Sequence, residues 1–487
     1  MPCPLYFSKD NGESAVQRDS IPTRTQGPTA ELCALPMWFL QETPPAANDV
    51  HPPLYYLLLY SWLKIPLGVD WAVQARLLSV AFALLGTVAL DRLWGEHFEG
   101  STRMTLLALW TLSPCLMLYA RMCRSYSLQA LFAIIGTALV LRVIAKPQRH
   151  NAVLLALVLL GSLYTHYAAG IALIAAANLA LAHRRMWRTA LAIDCAVLLG
   201  YLPWIWRLAA SLANWGTNTT RNYTLSGSRL FEVPVKLAYW CMSFVMGEAV
   251  PDALLVLGAL LLPLVAWVVW RGARRWPQLA GLTAALAIIG FIAAARWVSY
   301  PFMPARLLFV LPFFLMLAAS GAGTVRGGKA IVVAILLLSV SGVCCYFAGT
   351  GFRNKQYPMP MRQIAAEIVR DSRPGESAIL VDSTNSDPVA LIYALSSQRS
   401  VLETADPGTP AELTRLLADP HLRTIWFLRN THDVSPQGLD SLFLTQLRER
   451  MRETVHSYEP YTPLERALMP GPQPPRYFHE LVEFRRR

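Results

Sequence analysis

Apolar residues dominate residues 54–348 in long blocks, at about 71–91, 104–119, 125–144, 152–166, 168–183, 189–208, 252–270, 278–296, 302–319 and 329–348. A bilayer is crossed by roughly 20 mostly apolar helical residues. The pattern therefore predicts a mainly α, polytopic helical membrane protein of about ten spans. Beyond 348 the pattern changes. "YPMPMRQIAAEIVRDSRPGESAILVDSTNSDPVALIYALS" (357–396) reads as helix, turn, buried strand, loop and helix. "PGESAILVD" has the turn-then-apolar form of a strand in a parallel sheet. "RTIWFLRN" (423–430) predicts a second strand, "PQGLDSLFLTQLRERMRETV" (436–455) a helix and "RYFHELVEFRRR" a closing strand. Residues 349–487 thus form a small C-terminal α/β domain.

Before the first long block stands "NDVHPPLYYLLLYSW" (48–62). Proline is tolerated in the first helical turn, where no intrahelical N–H is required, and an acid just before it suits the positive end of the dipole. A helix is predicted to begin near Pro52, with Asp49 as a candidate cap.

Composition supports the membrane reading: 54% of residues are hydrophobic and 15% charged, and the mean hydropathy is +0.36. A net charge of +12 is compatible with nucleic-acid binding, but its placement argues against that partner. Arginines crowd short turns between apolar blocks, in "AKPQRH", "AHRRMWR", "WRGARRW" and "TVRGGK". The positive-inside rule makes those turns cytoplasmic. Arginine outnumbers lysine 37 to 6, the usage of a GC-rich, bacterial genome. The eight cysteines show no metal-ligand or C-x-x-C spacing and read as small core residues. "NTT" and "NYT" (218–224) match glycosylation sequons by chance under a bacterial origin.

Counting outward from the basic turns places "YARMCRSY" (119–126), "YTHYAAG" (164–170), the loop 209–251, "RWVSYPFMPAR" (296–306) and everything after 348 outside the cytoplasmic membrane. Residues 48–70 then begin and end on that outer face. Their helix is expected to lie in the outer interface, with tyrosines and Trp62 at headgroup level. Residues 1–70 form an outer loop with interfacial helices, and 71–348 the transmembrane domain. Residues 1–47 carry no signal peptide or apolar span of their own. Either the N-terminus is carried across with the first span, or a further transmembrane helix lies upstream of Met1; the second is the expectation.

The same face collects Asp10, Glu13, Asp49, His51, Arg121, Arg124, Tyr126, His166, Tyr167, Arg296 and Arg306. Ionisable residues at membrane depth are costly and mark sites or watery cavities. Arginine forks suit phosphate oxygens, and a carboxylate can serve as general base. Each element also has an ordinary explanation. Arg121 and Arg124 can anchor headgroups, His166 can be an interfacial hydrogen-bonding residue, Asp10 and Glu13 can be solvated, and Asp49 can be only a cap. In the C-terminal part, Asp382, Asp387 and His432 lack catalytic spacing and read as structural or solvated.

"DVHPPLYYLLLYSWL", "ARLLSVAFALLGTVAL", "LSPCLMLYARMCRSYSLQALFAIIG" and "LYTHYAAG" occur in an order and spacing that resemble the GT-C glycosyltransferases, over about residues 45–320. The bacterial protein-mannosyltransferase-like and aminoarabinose-transferase-like branch is the nearest in pattern. The resemblance implies an enzyme that takes a sugar from a polyprenyl-phosphate donor. It delivers that sugar, usually with inversion, to an extracytoplasmic glycan, lipid or protein acceptor. It implies a catalytic acid in the first outer loop, where "SKDNGESA" offers Asp10, with Asn11 in place of the family's adjacent glutamate and Glu13 two residues further on. Asp49 and His51 carry over from the D-x-H-P-P motif, with Asp49 a second candidate base. His51, Arg121, Arg124, Tyr126, His166 and Tyr167 become candidate donor-binding residues.

Many relatives have Gln-Glu-Ala-Arg where this chain has Arg121-Met122-Cys123-Arg124. An acid suited to a divalent cation is absent and an arginine is gained, so transfer is expected to need no metal or other cofactor. A transporter or flippase is the main competing class. It predicts inverted repeats and mid-membrane polar groups, and neither is evident in the chain. A catalytically degenerate scaffold is the third class.

Overall fold

A computed structural model describes residues 52–218, 229–297, 304–353, 360–373, 376–380, 391, 395, 403–405, 417–430, 439–458 and 479–486. The chain divides into two compact units at Gly351/Phe352.

The first unit is helical. Helix α1 (Leu54–Leu63) starts directly after the Pro-Pro sequence, with Pro53 as its N-cap. At ten residues it spans about 15 Å, too short to cross a bilayer. Helix α2 (Trp71–Trp94) starts at Asp70, whose carboxylate accepts the Ala72 and Val73 N–H groups. The two helices are clasped: Trp62 Nε1 donates to the Gln74 carbonyl, and Gln74 Nε2 donates back to the carbonyls of Trp62 and Ile65.

Helices α3 (Gly100–Thr111) and α4 (Pro114–Ala120) form one bent pair, with 47° between them. Ser113 caps α4 through Leu116 N–H, and Pro114 cannot continue the preceding helix. Then follow α5 (Tyr126–Ala145), α6 (Arg149–Leu163), α7 (Tyr167–His183), α8 (Trp187–Asn218), α9 (Arg229–Met246), α10 (Asp252–Arg275) and α11 (Pro277–Trp297). A 3₁₀ segment (Pro304–Val310) leads into α12 (Leu311–Ala322), and α13 (Gly328–Ala348) closes the unit. The inner helices α5 and α12 are largely buried, whereas α8, α10 and α13 present many exposed Leu, Ile, Val and Trp side chains. An apolar outer surface is what a bilayer solvates.

The apolar blocks differ in the length of helix they form. Among the described residues six helices are long and apolar enough to cross, or seven if the α3–α4 pair is one broken span. The blocks at 152–166, 168–183 and 278–296 fall on shorter apolar helices. In the first two, the polar turn Thr165–His166 interrupts the run: Thr165 Oγ1 and N–H fold back onto Gly161 and Ser162, and His166 caps the next helix. The cysteines also depart from a uniform core role. Cys115 and Cys123 are buried, but Cys195 and Cys344 are exposed on helix surfaces.

The second unit opens with α14 (Met361–Asp371) and contains a five-stranded sheet in the order β2-β1-β3-β5-β4. Its strands are β1 (Ser377–Leu380), β2 (Glu403–Ala405), β3 (Thr424–Asn430), β4 (Met451–Tyr458) and β5 (His479–Arg486), with α15 (Leu439–Arg450) preceding β4. β1 lies parallel to β2 and β3, while β5 is antiparallel to β3 and β4, so the sheet is mixed. The expected helix over 436–455 ends at Arg450. Thr454 and Val455 are β-branched, and residues 451–458 pair along the whole of β5.

Candidate functional site

The turns of the helical unit segregate to two ends. At one end Asp91 pairs with Arg103 at 2.6 Å, Arg275 with Glu99 at 3.1 Å, and Phe98 packs on Trp276. Antiparallel alternation puts the basic turns around 146–149, 184–187, 271–277 and 323–328 at this same end. The opposite end collects the turns at 121–125, 164–166, 247–251 and 304–306.

Two consecutive residues of α1 tie that second end together. The Leu54 N–H donates to the Tyr164 carbonyl at 3.0 Å. The buried Tyr55 hydroxyl bonds Ser79 Oγ at 2.7 Å, and Ser79 Oγ reaches the Arg124 carbonyl at 3.2 Å. The segments "PPLYY", "YARMCRSY" and "YTHY", read separately in the sequence, are thus joined by hydrogen bonds. Prolines at 52 and 53 leave Leu54 among the first N–H groups of the helix, which need partners outside it.

His166 is buried and extended (φ −163°, ψ 124°) at the N-cap of α7. Its Nδ1 accepts the Ala169 N–H at 3.3 Å. Its Nε2 lies 3.5 Å from Arg306 Nη1, a group that only donates. A guanidinium beside an imidazole forms a setting in which an oxyanion would be favoured. Arg306 Nε is buried without a hydrogen-bond partner among the described residues. The 3₁₀ segment that holds Arg306 packs against α4, α5, α7 and α9.

Arg121 is exposed at the C-cap of α4, its guanidinium 5.2 Å from the Tyr346 ring centroid and 5.0 Å from that of Phe347. Cation–π contact fixes its stem while leaving the fork's edge available. Arg124, half-buried, lies in the same turn. Tyr126 and Tyr167 are enclosed by protein. Tyr126 packs edge-on against Tyr119 at 5.4 Å, and the Tyr167 hydroxyl accepts Trp204 Nε1–H at 3.1 Å. Asp10, Glu13, Asp49 and His51 lie outside the described residues, as do Asp382, Asp387, His432 and most of the sequon segment. Arg296 is within α11, but its side chain is likewise outside them.

One further acid at this end belongs to none of the sequence motifs. Glu248, in the turn between α9 and α10, is 1% exposed. Its Oε2 accepts the Tyr119 hydroxyl, and its Oε1 accepts the Tyr239 hydroxyl at 2.8 Å. The available signal was local: an acid flanked by Met246-Gly247 and Ala249-Val250, apolar on both sides. Among the described residues no group of three or more His, Cys, Asp or Glu is placed to hold a metal ion.

No family model matches the sequence, and no curated protein does. Among solved structures, the chain is similar to ArnT from Cupriavidus metallidurans bound to undecaprenyl phosphate, at 15% identity and a TM-score of 0.44, over 89% of this chain and 88% of that one. It is similar to the same protein in the apo state at 15% identity and a TM-score of 0.47, over 89% and 87% of the two chains.

Proposed function

We propose that the chain is an integral-membrane glycosyltransferase that moves a sugar from a polyprenyl-phosphate donor to an acceptor outside the cytoplasmic membrane, with inversion. The observation that carries this reading is the joining of three motif segments at the end opposite the basic turns. There Leu54 and Tyr55 pin the 164–166 and 121–125 turns beside the His166–Arg306 pair. Cationic and N–H donors gathered next to an apolar surface suit a phosphate carried on a lipid tail. The positive-inside rule supports reading the arginine-rich end as cytoplasmic and this cluster as extracytoplasmic, and we read the C-terminal unit as extracytoplasmic too.

In this reading Arg121, Arg124, His166 and Arg306 neutralise the phosphate as it leaves the anomeric carbon. Tyr126 and Tyr167 hold the walls that carry them. Asp10 or Asp49 takes the proton of the attacking acceptor group, and His51 stands beside the donor. Membrane lipids surround the helices, and nucleic acid has no role.

The test incubates purified protein with radiolabelled polyprenyl-phosphate sugars and membrane acceptors. Transfer of label with release of polyprenyl phosphate is the expected result. Exchange of donor between leaflets without bond cleavage would replace it with a flippase. Neither activity would leave a scaffold.

A further inference from the structure

We propose that Glu248 is a positioning residue that acts through Tyr119 to set the Arg121–Arg124 turn. This rests on the reading of that turn as a phosphate-binding element. Tyr119 holds the turn at three points. Its carbonyl accepts the N–H of Arg121 and of Met122, so the turn folds on its backbone. Its ring packs edge-on against Tyr126, the first residue of the helix that leaves the turn. Its hydroxyl donates to Glu248. The tyrosine is fully buried, and so is the carboxylate that anchors it.

The anchor is itself built rigidly. The other Glu248 oxygen accepts from Tyr239 on α9, whose carbonyl also accepts the Ser243 hydroxyl at 2.8 Å. Gly247, at φ +77°, lies against Pro114 at the start of α4, a conformation and a spacing that a side chain would disturb. Val250 N–H donates to the Gly351 carbonyl at 2.8 Å, and the Val245 carbonyl accepts Ser339 Oγ. Residues 245–250 therefore form a fixed plug bonded into the bundle. A carboxylate at this depth is costly to keep, and packing alone does not require one. Two phenol donors aimed at its two oxygens give it a directional role, in which the plug's geometry is transmitted to the arginine turn.

The experiment measures equilibrium binding of undecaprenyl phosphate to the detergent-purified full chain, reporting Kd and the bound fraction at saturation separately. Glu248→Gln and Tyr119→Phe are each expected to raise Kd about tenfold, the effect of a weakened charge-assisted hydrogen bond. The double variant is expected to be no weaker than either single variant, because both remove the same contact. A residue that merely supports folding would lower the bound fraction and leave Kd unchanged, and that outcome overturns the proposal. Arg124→Ala run alongside separates the two levels. If it weakens binding while Glu248→Gln and Tyr119→Phe do not, only the positioning role fails. If it leaves binding intact, the phosphate reading of the turn fails first.

Discussion

His166 and Arg306, 140 positions apart, meet with Nε2 and Nη1 at 3.5 Å. The other ring nitrogen, Nδ1, accepts the Ala169 N–H. An anion held against this pair would gain the guanidinium's charge and N–H donors. Arg306→Ala is expected to weaken undecaprenyl phosphate binding about 10- to 100-fold, the worth of a charged hydrogen bond. His166→Ala is expected to do the same by a smaller factor. Unchanged titration curves for both variants would remove the pair from the site.

Arg124 occupies the turn whose carbonyl is pinned by Ser79. Arg124→Ala is expected to lower turnover by about 10²–10³, as for other preorganised charge stabilisers. Single-turnover transfer from radiolabelled donor measures it, and near-wild-type rates in folded protein would dismiss the arginine from the mechanism.

Arg121 and Arg124 bracket Met122-Cys123, a stretch without carboxylates. In the proposed reaction guanidinium would meet the leaving-group charge, and transfer is expected to persist in EDTA. Loss of activity in chelator, restored by Mg²⁺ or Mn²⁺, would refute a metal-independent reaction.

Gly247 combines φ +77° with an approach to Pro114 in which an added Cβ would sit 2.8 Å from the ring's Cβ. Gly247→Ala is expected to destabilise the bundle by about 1–3 kcal/mol, from strain and overpacking together. A fall in the thermal midpoint of the detergent-solubilised chain checks this. An unchanged midpoint would show that the plug yields easily.

In the C-terminal unit, Tyr458 donates its hydroxyl to Glu367, whose other oxygen lies 2.8 Å from His456 Nδ1. Burial first, then the hydrogen bond to Glu367 and its charge, hold the phenol's pKa above the ordinary value of 10.0. The folded unit thus favours the neutral phenol. That contribution is complete below pH 10 and is lost as pH rises through the raised value. Tyr458→Phe is expected to flatten the alkaline decline in stability, followed by circular dichroism of the full chain above about pH 10. Parallel profiles for the two proteins would contradict it.

Much of this organisation is legible in the chain. The apolar blocks, the basic turns between them and the switch after 348 follow from solvation, which acts on each residue by its own chemistry. "PP" before "LYYLLLYSWL" gives the start of α1 because proline's missing N–H has a local consequence. "YARMCRSY" and "YTHY" announce themselves as polar breaks in apolar runs. Such features need no knowledge of what lies across the bundle.

Other features depend on distant parts of the chain. Met451 turns from helix to strand because β5 offers it a ladder partner, Arg486, 35 positions along the chain. Above all, Glu248 acquires its role only when Tyr119, 129 positions away, and Tyr239 close around it. The sequence determined which surfaces seek lipid, which turns stay basic and where helices begin, since those follow from local solvation and backbone chemistry. Only the tertiary structure decided which hydroxyl meets which carboxylate and which arginine stands beside which histidine. Hydrogen bonds act over about 3 Å, and no spacing along a chain fixes a distance that short across a bundle.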